Sequence, residues 1–289
     1  MQSLNYEAPT DIDSAIAVLA KANRNTKIFA GGTDLLVQLR EEIINPNLFV
    51  DIKKIKETKI ISIGEREIRI GAAVTGAELS EQEDVRLLLP GVVEAVELIG
   101  SAQIQGRATI GGNICNASPA ADSIPALISV SAVAEVAGPK GFREVPIQDI
   151  LAGPGQTTLD STEFVVTLRI PKPEPLSADA YLRFIPRTEM DIAVVGAGAA
   201  ITLDLDGNCR SARLALGAVA PTARLVENLA PILNGHKLCE KILVEVAAAA
   251  RAACEPIDDK RGTIEFRLHV AGILAKRAIK IAWQRAEAK

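Results

Sequence analysis

Aromatic side chains are nearly missing from this sequence: Phe, Tyr and Trp make up 3 % of 289 residues, although hydrophobic residues together reach 48 %. The core must therefore be built from Ala, Val, Ile and Leu, and a substrate pocket walled by rings is not expected. Histidine is almost as scarce. His236 and His269 stand far from any carboxylate cluster in sequence, and both read as structural. The cysteines at 115, 209, 239 and 254 are scattered with no C-x-x-C spacing, which excludes a zinc ribbon and a self-contained iron–sulfur framework. No Ser–His or Cys–His nucleophile arrangement and no standout carboxylate pair is visible. Positive charge is not in excess either, and a net charge of −4 argues against a nucleic-acid surface. No apolar run reaches membrane-spanning length, and Met1–Glu7 lacks the basic-then-apolar order of an export signal. The expectation is a cytoplasmic chain without membrane insertion.

What is present centres on one polar stretch. From Thr109-Ile110-Gly111-Gly112-Asn113 through Ala117-Ser118-Pro119-Ala120-Ala121-Asp122-Ser123-Ile124-Pro125, neither a helical nor an alternating apolar period is evident. Adjacent glycines permit close backbone approach, and asparagine, serine and aspartate supply short donors and acceptors. An irregular polar stretch inside an apolar chain needs partners for its backbone groups, and a bound polar ligand would supply them. A second glycine pair strengthens this reading. Lys27-Ile28-Phe29-Ala30 reads as a buried strand, Gly31-Gly32-Thr33-Asp34 follows, and Leu35, Leu36 and Leu39 open a helical pattern. Strand, double glycine, hydroxyl and helix start is a geometry that turns successive N–H groups toward a phosphate. Asp34 is unsuited to an anion site, so its carboxylate is expected to cap the helix or to meet a ribityl or ribose hydroxyl. Neither loop is a P-loop or a dinucleotide fingerprint.

The pair Ala30-Gly31-Gly32-Thr33-Asp34-Leu35 and Thr109-Ile110-Gly111-Gly112-Asn113 resembles the two FAD-binding loops of the medium, flavoprotein subunits of the molybdenum hydroxylase family. That family includes carbon monoxide, xanthine and nicotinate dehydrogenase-type enzymes. The resemblance runs along essentially the whole chain. It takes in Gly153-Pro154-Gly155, Arg169-Ile170-Pro171, Arg187 with Met190-Asp191-Ile192-Ala193, and Leu216-Gly217-Ala218-Val219-Ala220-Pro221-Thr222. It implies an α+β fold: an FAD-binding unit of the vanillyl-alcohol-oxidase type in two α/β lobes, then a C-terminal lobe with a small antiparallel sheet and helices. The expected domains are 1–172, with lobes of about 1–55 and 56–172, and 173–289.

The local patterns fit such a layout. A capped amphipathic helix starts at Thr10–Asp13, and Leu48–Ile52 is a strand. Lys59–Ile63 and Glu67–Ile70 read as a hairpin, Leu87–Ile99 as one helix with Pro90 near its start, and Ser123–Ile128 as a helix start. Ala132–Ala137 pairs with Phe142–Ile147, Phe164–Ile170 closes the sheet, and Pro171–Pro175 is a stiff linker. Val194-Val195-Gly196-Ala197-Gly198 imitates a dinucleotide motif. Ile201, where that motif needs a small residue, makes it a close-packed strand instead. Ser211–Leu216 adds a second strand, and helices are expected at about 238–253 and 262–282.

By the resemblance, Ala30, Gly31, Gly32, Thr33, Asp34 and Leu35 with Thr109, Gly111, Gly112 and Asn113 hold the FAD pyrophosphate and ribityl region. Ala121 and Asp122 contact the cofactor, Val165 lies against the flavin or adenine side, and Arg183 is a cation near the flavin. Arg107 is a weaker candidate for balancing phosphate charge. The chain would take electrons from a small subunit carrying [2Fe-2S] clusters, fed by a large subunit with the molybdenum cofactor. It would pass them to NAD, a quinone or oxygen, and a dimer of heterotrimers is one assembly implied. Two other readings remain at this stage: a free-standing flavin-dependent oxidoreductase of the same fold, and a non-redox nucleotide-binding assembly module.

Overall fold

A computed structural model describes residues 4–21, 25–187 and 190–289; Met1, Gln2 and Ser3 of the N-terminal stretch lie outside the described residues. The strands Asn5–Glu7, Thr26–Phe29 and Leu48–Asp51 form a parallel sheet with Leu48–Asp51 in the middle. Helix Ile12–Lys21 follows the first of them, and the Asp11 carboxylate accepts the Ser14 N–H at 2.8 Å at its start.

A five-stranded antiparallel sheet comes next, in the spatial order Ile61–Ile63, Glu67–Gly71, Phe164–Pro171, Val133–Gly138, Gly141–Pro146. Phe164–Pro171 does not close this sheet at an edge, as expected from sequence, but runs through its centre. The reason lies in its two apolar faces. Phe164 and Val166 pack into the core of the first lobe, while Val165, Leu168 and Ile170 enter that of the second. A strand buried on both faces belongs between two layers.

Two further expectations are corrected here. The single helix expected over Leu87–Ile99 is two, Glu83–Leu88 and Pro90–Glu97, broken at Leu89 with φ −130° and ψ 58°. A proline excludes its predecessor from helical geometry and then starts the next helix well. The stretch read as irregular contains a helix, Ile110–Asn116, capped by the Thr109 hydroxyl and ended by Ala117 at φ 49°. Only Ile110 and Ile114, one turn apart, anchor it, too few apolar positions to show as a period.

The C-terminal part is an antiparallel meander of Ser177–Phe184, Val195–Leu203, Cys209–Gly217 and Arg224–Leu225. Ala271, Ala275, Ala278 and Ala282 of helix Ile264–Glu287 are fully buried, and helix Glu240–Ala252 packs beside it. The small side chains let the long helix lie close to the sheet. The other sheet face meets the second lobe. There Asp179 accepts the Val92 N–H at 3.0 Å, and Glu94 accepts the Tyr181 N–H at 3.2 Å and an Arg285 N–H at 3.1 Å. Gly198 belongs to this seam, since a β-carbon there would stand 2.5 Å from the Pro125 carbonyl oxygen. The glycines of the dinucleotide look-alike therefore serve close packing.

Candidate functional site

The first glycine loop leaves the strand Thr26–Phe29 and enters helix Leu35–Arg40; the strand is not buried as expected from sequence, since only Phe29 is buried and Lys27 is exposed on a three-stranded sheet. Its two glycines have separate jobs. A β-carbon on Gly31 would lie 2.2 Å from the Arg107 carbonyl oxygen, so this residue lets the two loops approach. Gly32 adopts φ +75°, and a β-carbon there would meet the Phe29 ring at 2.6 Å. No acceptor among the described residues takes the backbone N–H of Gly31, Gly32, Thr33 or Asp34. Four successive amides left without a partner form a ready anion cradle. Asp34 stands at the helix N-cap, yet its carboxylate makes no capping bond and, among the described residues, accepts only from the Thr33 hydroxyl, at 3.5 Å. The capping role expected for it is thus replaced by a free carboxylate at the cleft.

The second loop is built differently. Gly111 donates to the Ala72 carbonyl at 3.0 Å, Gly112 to the Thr109 hydroxyl at 3.1 Å, and Asn113 to the Thr109 carbonyl at 2.9 Å. A β-carbon at Gly111 would stand 2.6 Å from Ala72. This glycine pair therefore seats the helix on its neighbour and leaves no free backbone N–H. What it can offer a ligand are side chains: the Thr109 hydroxyl proton and the Asn113 amide, whose Oδ1 accepts from Ser123 at 2.6 Å.

Between the loops lies a cleft of about 360 Å³. Ala30, Gly31, Gly32, Thr33, Asp34, Leu35, Thr109, Gly111, Gly112, Asn113 and Val165 all line it. Ala121, Asp122 and Arg183 do not. Arg107 is exposed and reaches the loops only through its carbonyl. The cleft also takes in residues not singled out from sequence, notably Lys27, Gln38, Asp160 and Glu163. Lys27 and Gln38 flank the first loop on its own strand and helix, whereas Asp160 and Glu163 come from the second lobe, a meeting that no local pattern announces. Gly155 is a partial exception: it lines the cleft and donates to Ala117 at 3.0 Å, and its Gly-Pro-Gly turn was visible in the sequence.

Asp122 and Arg183 form a separate buried cluster beside Ser123. Asp122 accepts from Arg183 at 2.7 Å and from the Tyr181 hydroxyl at 2.8 Å, and the Arg183 side chain is only 6 % exposed. Tyr181 and Arg183 share one face of their strand, while Leu182 and Phe184 pack on the helix side, the alternation of a strand residue by residue. Burial pushes the Asp122 carboxyl up to about 6, against the pull of Arg183 and Tyr181. Among the described residues the Arg183 Nε has no hydrogen-bond partner. Gly217 and Ala218 pack on the chain to either side of Asp122: a β-carbon on Gly217 would stand 2.8 Å from the Pro125 ring, and the Ala218 N–H donates to the Pro119 carbonyl at 2.7 Å.

Two family models match the chain: the FAD binding domain in molybdopterin dehydrogenase over residues 2–173 and the CO dehydrogenase flavoprotein C-terminal domain over 180–282. The carbon monoxide dehydrogenase medium chain of Hydrogenophaga pseudoflava is 34 % identical over 281 residues, covering 97 % of each chain. A putative xanthine dehydrogenase FAD-binding subunit of Escherichia coli is 32 % identical, covering 96 % of this chain and 95 % of that one. The structure of the Hydrogenophaga pseudoflava carbon monoxide dehydrogenase lacking the Mo-pyranopterin moiety superposes with a TM-score of 0.93 at 32 % identity over 98 % of both chains. Quinoline 2-oxidoreductase from Pseudomonas putida 86 gives 0.90 at 28 % identity, again over 98 % of both.

Proposed function

Because the chain belongs to the FAD-binding family of the molybdopterin dehydrogenases, we propose that it is the FAD-carrying electron-transfer subunit of a molybdenum-containing hydroxylase. The observation that carries the reading is the row of four unpaired amides at Gly31, Gly32, Thr33 and Asp34, which fits a pyrophosphate. Asp34, with its carboxylate free, would accept from ribityl or ribose hydroxyls. Thr109 and Asn113 would donate to phosphate or sugar oxygens from the facing helix, and Val165 would give an apolar wall. Asp122 and Arg183 lie outside this cleft, next to Ser123 and hence one hydrogen bond from Asn113. We assign them to the flavin end, with Ala121 beside them. Residues 1–172 would thus hold the cofactor, and 173–289 would close the flavin end through Arg183.

Bound FAD supplies two-electron and one-electron redox chemistry that none of the protein side chains offers. The chain's own contribution is to bind the dinucleotide, orient it between the lobes and set the charge near its reactive end. Electrons would arrive from an iron–sulfur partner and leave to NAD, a quinone or oxygen, with the substrate chosen by a molybdenum-bearing partner.

The test is to purify the full chain, strip it, incubate it with FAD and desalt it. A retained flavin absorption band with near-stoichiometric content is expected, and a colourless protein would sink the reading. Loaded with FAD but without partners, the chain should not reduce its flavin with carbon monoxide, an aldehyde or an N-heterocycle. Flavin reduction by one of these would point instead to a free-standing enzyme.

A further inference from the structure

Behind the first glycine loop sits a polar cluster that lines no part of the cleft. The Lys53 ammonium donates to the Ala30 carbonyl at 3.0 Å and to Asp51 Oδ2 at 2.7 Å, and lies 4.2 Å from the centre of the Phe29 ring. Asp51 is 3 % exposed; its Oδ1 accepts the Lys53 N–H at 2.9 Å, and the Tyr6 hydroxyl donates to its Oδ2. Phe29 stacks on Phe49 at 5.5 Å and bounds the space beside Gly32. The lysine is thus fixed by an ion pair, a ring and a carbonyl, and that carbonyl belongs to the residue just before the four unpaired amides.

We propose that Lys53 is a positioning residue for the anion cradle. In a trans peptide the C=O and the N–H point in opposite directions, so holding the Ala30 carbonyl toward Lys53 turns the Gly31 N–H the other way, toward the cleft. Glycine at 31 would otherwise let that peptide rotate freely. Orientation matters more here than in most phosphate sites. Lys27 is the one basic side chain lining the cleft among the described residues, against the acids Asp34, Asp160 and Glu163. With so little cationic charge in contact, an anionic ligand depends on the backbone amides facing it. Lys53 does not supply bulk charge, since Asp51 balances it. Its effect is geometric.

The inference rests on the FAD reading, and the experiment separates the two. Stripped full-length chain is titrated with FAD, flavin fluorescence quenching giving the affinity and thermal unfolding of the stripped protein giving stability. The variant is Asp51→Asn/Lys53→Met, which avoids stranding a buried carboxylate. It is expected to bind FAD roughly tenfold or more weakly while unfolding near the wild-type temperature. Lys53→Arg, still able to donate to Ala30, should recover most of the affinity. Asp51→Asn alone, which keeps Lys53 on the carbonyl, should stay within about threefold of wild type. If the double variant binds FAD as tightly as wild type, the role of Lys53 is wrong and the FAD reading stands. If Asp51→Asn alone loses as much as the double variant, the acid and not the lysine–carbonyl bond matters, and the proposal falls. A wild-type chain that binds no FAD overturns both.

Discussion

At the scale of single residues, the four loop glycines differ in function although they look alike. Gly31 and Gly111 are packing glycines, held against Arg107 and Ala72, whereas Gly32 is required by its positive φ. Gly111→Ala should therefore destabilise the stripped protein by about 1–3 kcal/mol through overpacking, measurable by urea unfolding without any ligand. A value near zero would mean that the helix shifts freely on Ala72. Asp122 and Arg183 make a second residue-scale case. Removing Arg183 alone would raise the already elevated Asp122 carboxyl further and protonate it at neutral pH, so the local charge changes little. Asp122→Asn instead leaves the buried cation unbalanced. If the pair lies at the flavin, Asp122→Asn raises the FAD midpoint potential by tens of millivolts, while Arg183→Met moves it by much less. Equal and opposite shifts would show that Asp122 remains charged in the variant.

At the scale of elements, helix Pro90–Glu97 and the strand Ser177–Phe184 are locked by a carboxylate. Asp179 takes the Val92 N–H in the helix's first turn, and its Oδ1 finds no partner among the described residues. Burial pushes Asp179 up to about 7, with the nearby Glu94 adding to the effect and the Gly91 and Val92 amides and Arg285 opposing it. The sign follows from proton binding. A carboxyl raised in the folded state favours folding below its unfolded value, and that stability is lost as pH rises through the folded one. Between about pH 5 and pH 8 this group should therefore remove roughly 2–3 kcal/mol of stability, and Asp179→Asn should flatten that part of the profile. Denaturant titrations of the two proteins at both pH values test it. Parallel profiles would mean that Asp179 is ionised in the fold. Acid below about pH 4 acts the other way on Asp51, where burial raises the carboxyl but hydrogen bonds from Lys53 and Tyr6 bring it below its ordinary value.

At the scale of the molecule, the seam between the C-terminal sheet and the second lobe is narrow because glycine stands on it. Gly91 has no room for a side chain beside Ala180, nor Gly198 beside Pro125. Tyr181, Ala215 and Ala223 from the C-terminal part lie in the same buried cluster as the second-lobe strands, so the two parts should unfold together. Gly198→Val should separate them and split a single calorimetric transition into two. A variant that keeps one sharp transition would show that the seam repacks around the added methyl groups. Among the described residues no helix is long and apolar enough to cross a membrane.

The sequence by itself determined the elements whose cause is local. The capped helix start at Thr10–Asp13, the strands at Lys27–Ala30 and Leu48–Ile52, and the alternation that puts Tyr181 and Arg183 on one face were all legible, as was the strand nature of Val195–Leu203, whereas the parallel pairing and the strand Asn5–Glu7 were not. Both glycine loops were legible too, because a missing Cβ leaves a mark in the residue order. Tertiary structure decided what those loops do. Whether an amide is free or bonded depends on neighbours such as Ala72 and Val74, tens of residues away in the chain. The same holds for the central place of Phe164–Pro171, which follows from having a lobe on each side, and for the Lys53 contact with Ala30, which needs two adjacent strand ends. Hydrophobic pattern and backbone propensity act over a few residues and can be read along the chain. Partnership of polar groups is settled only when distant segments meet and exclude water.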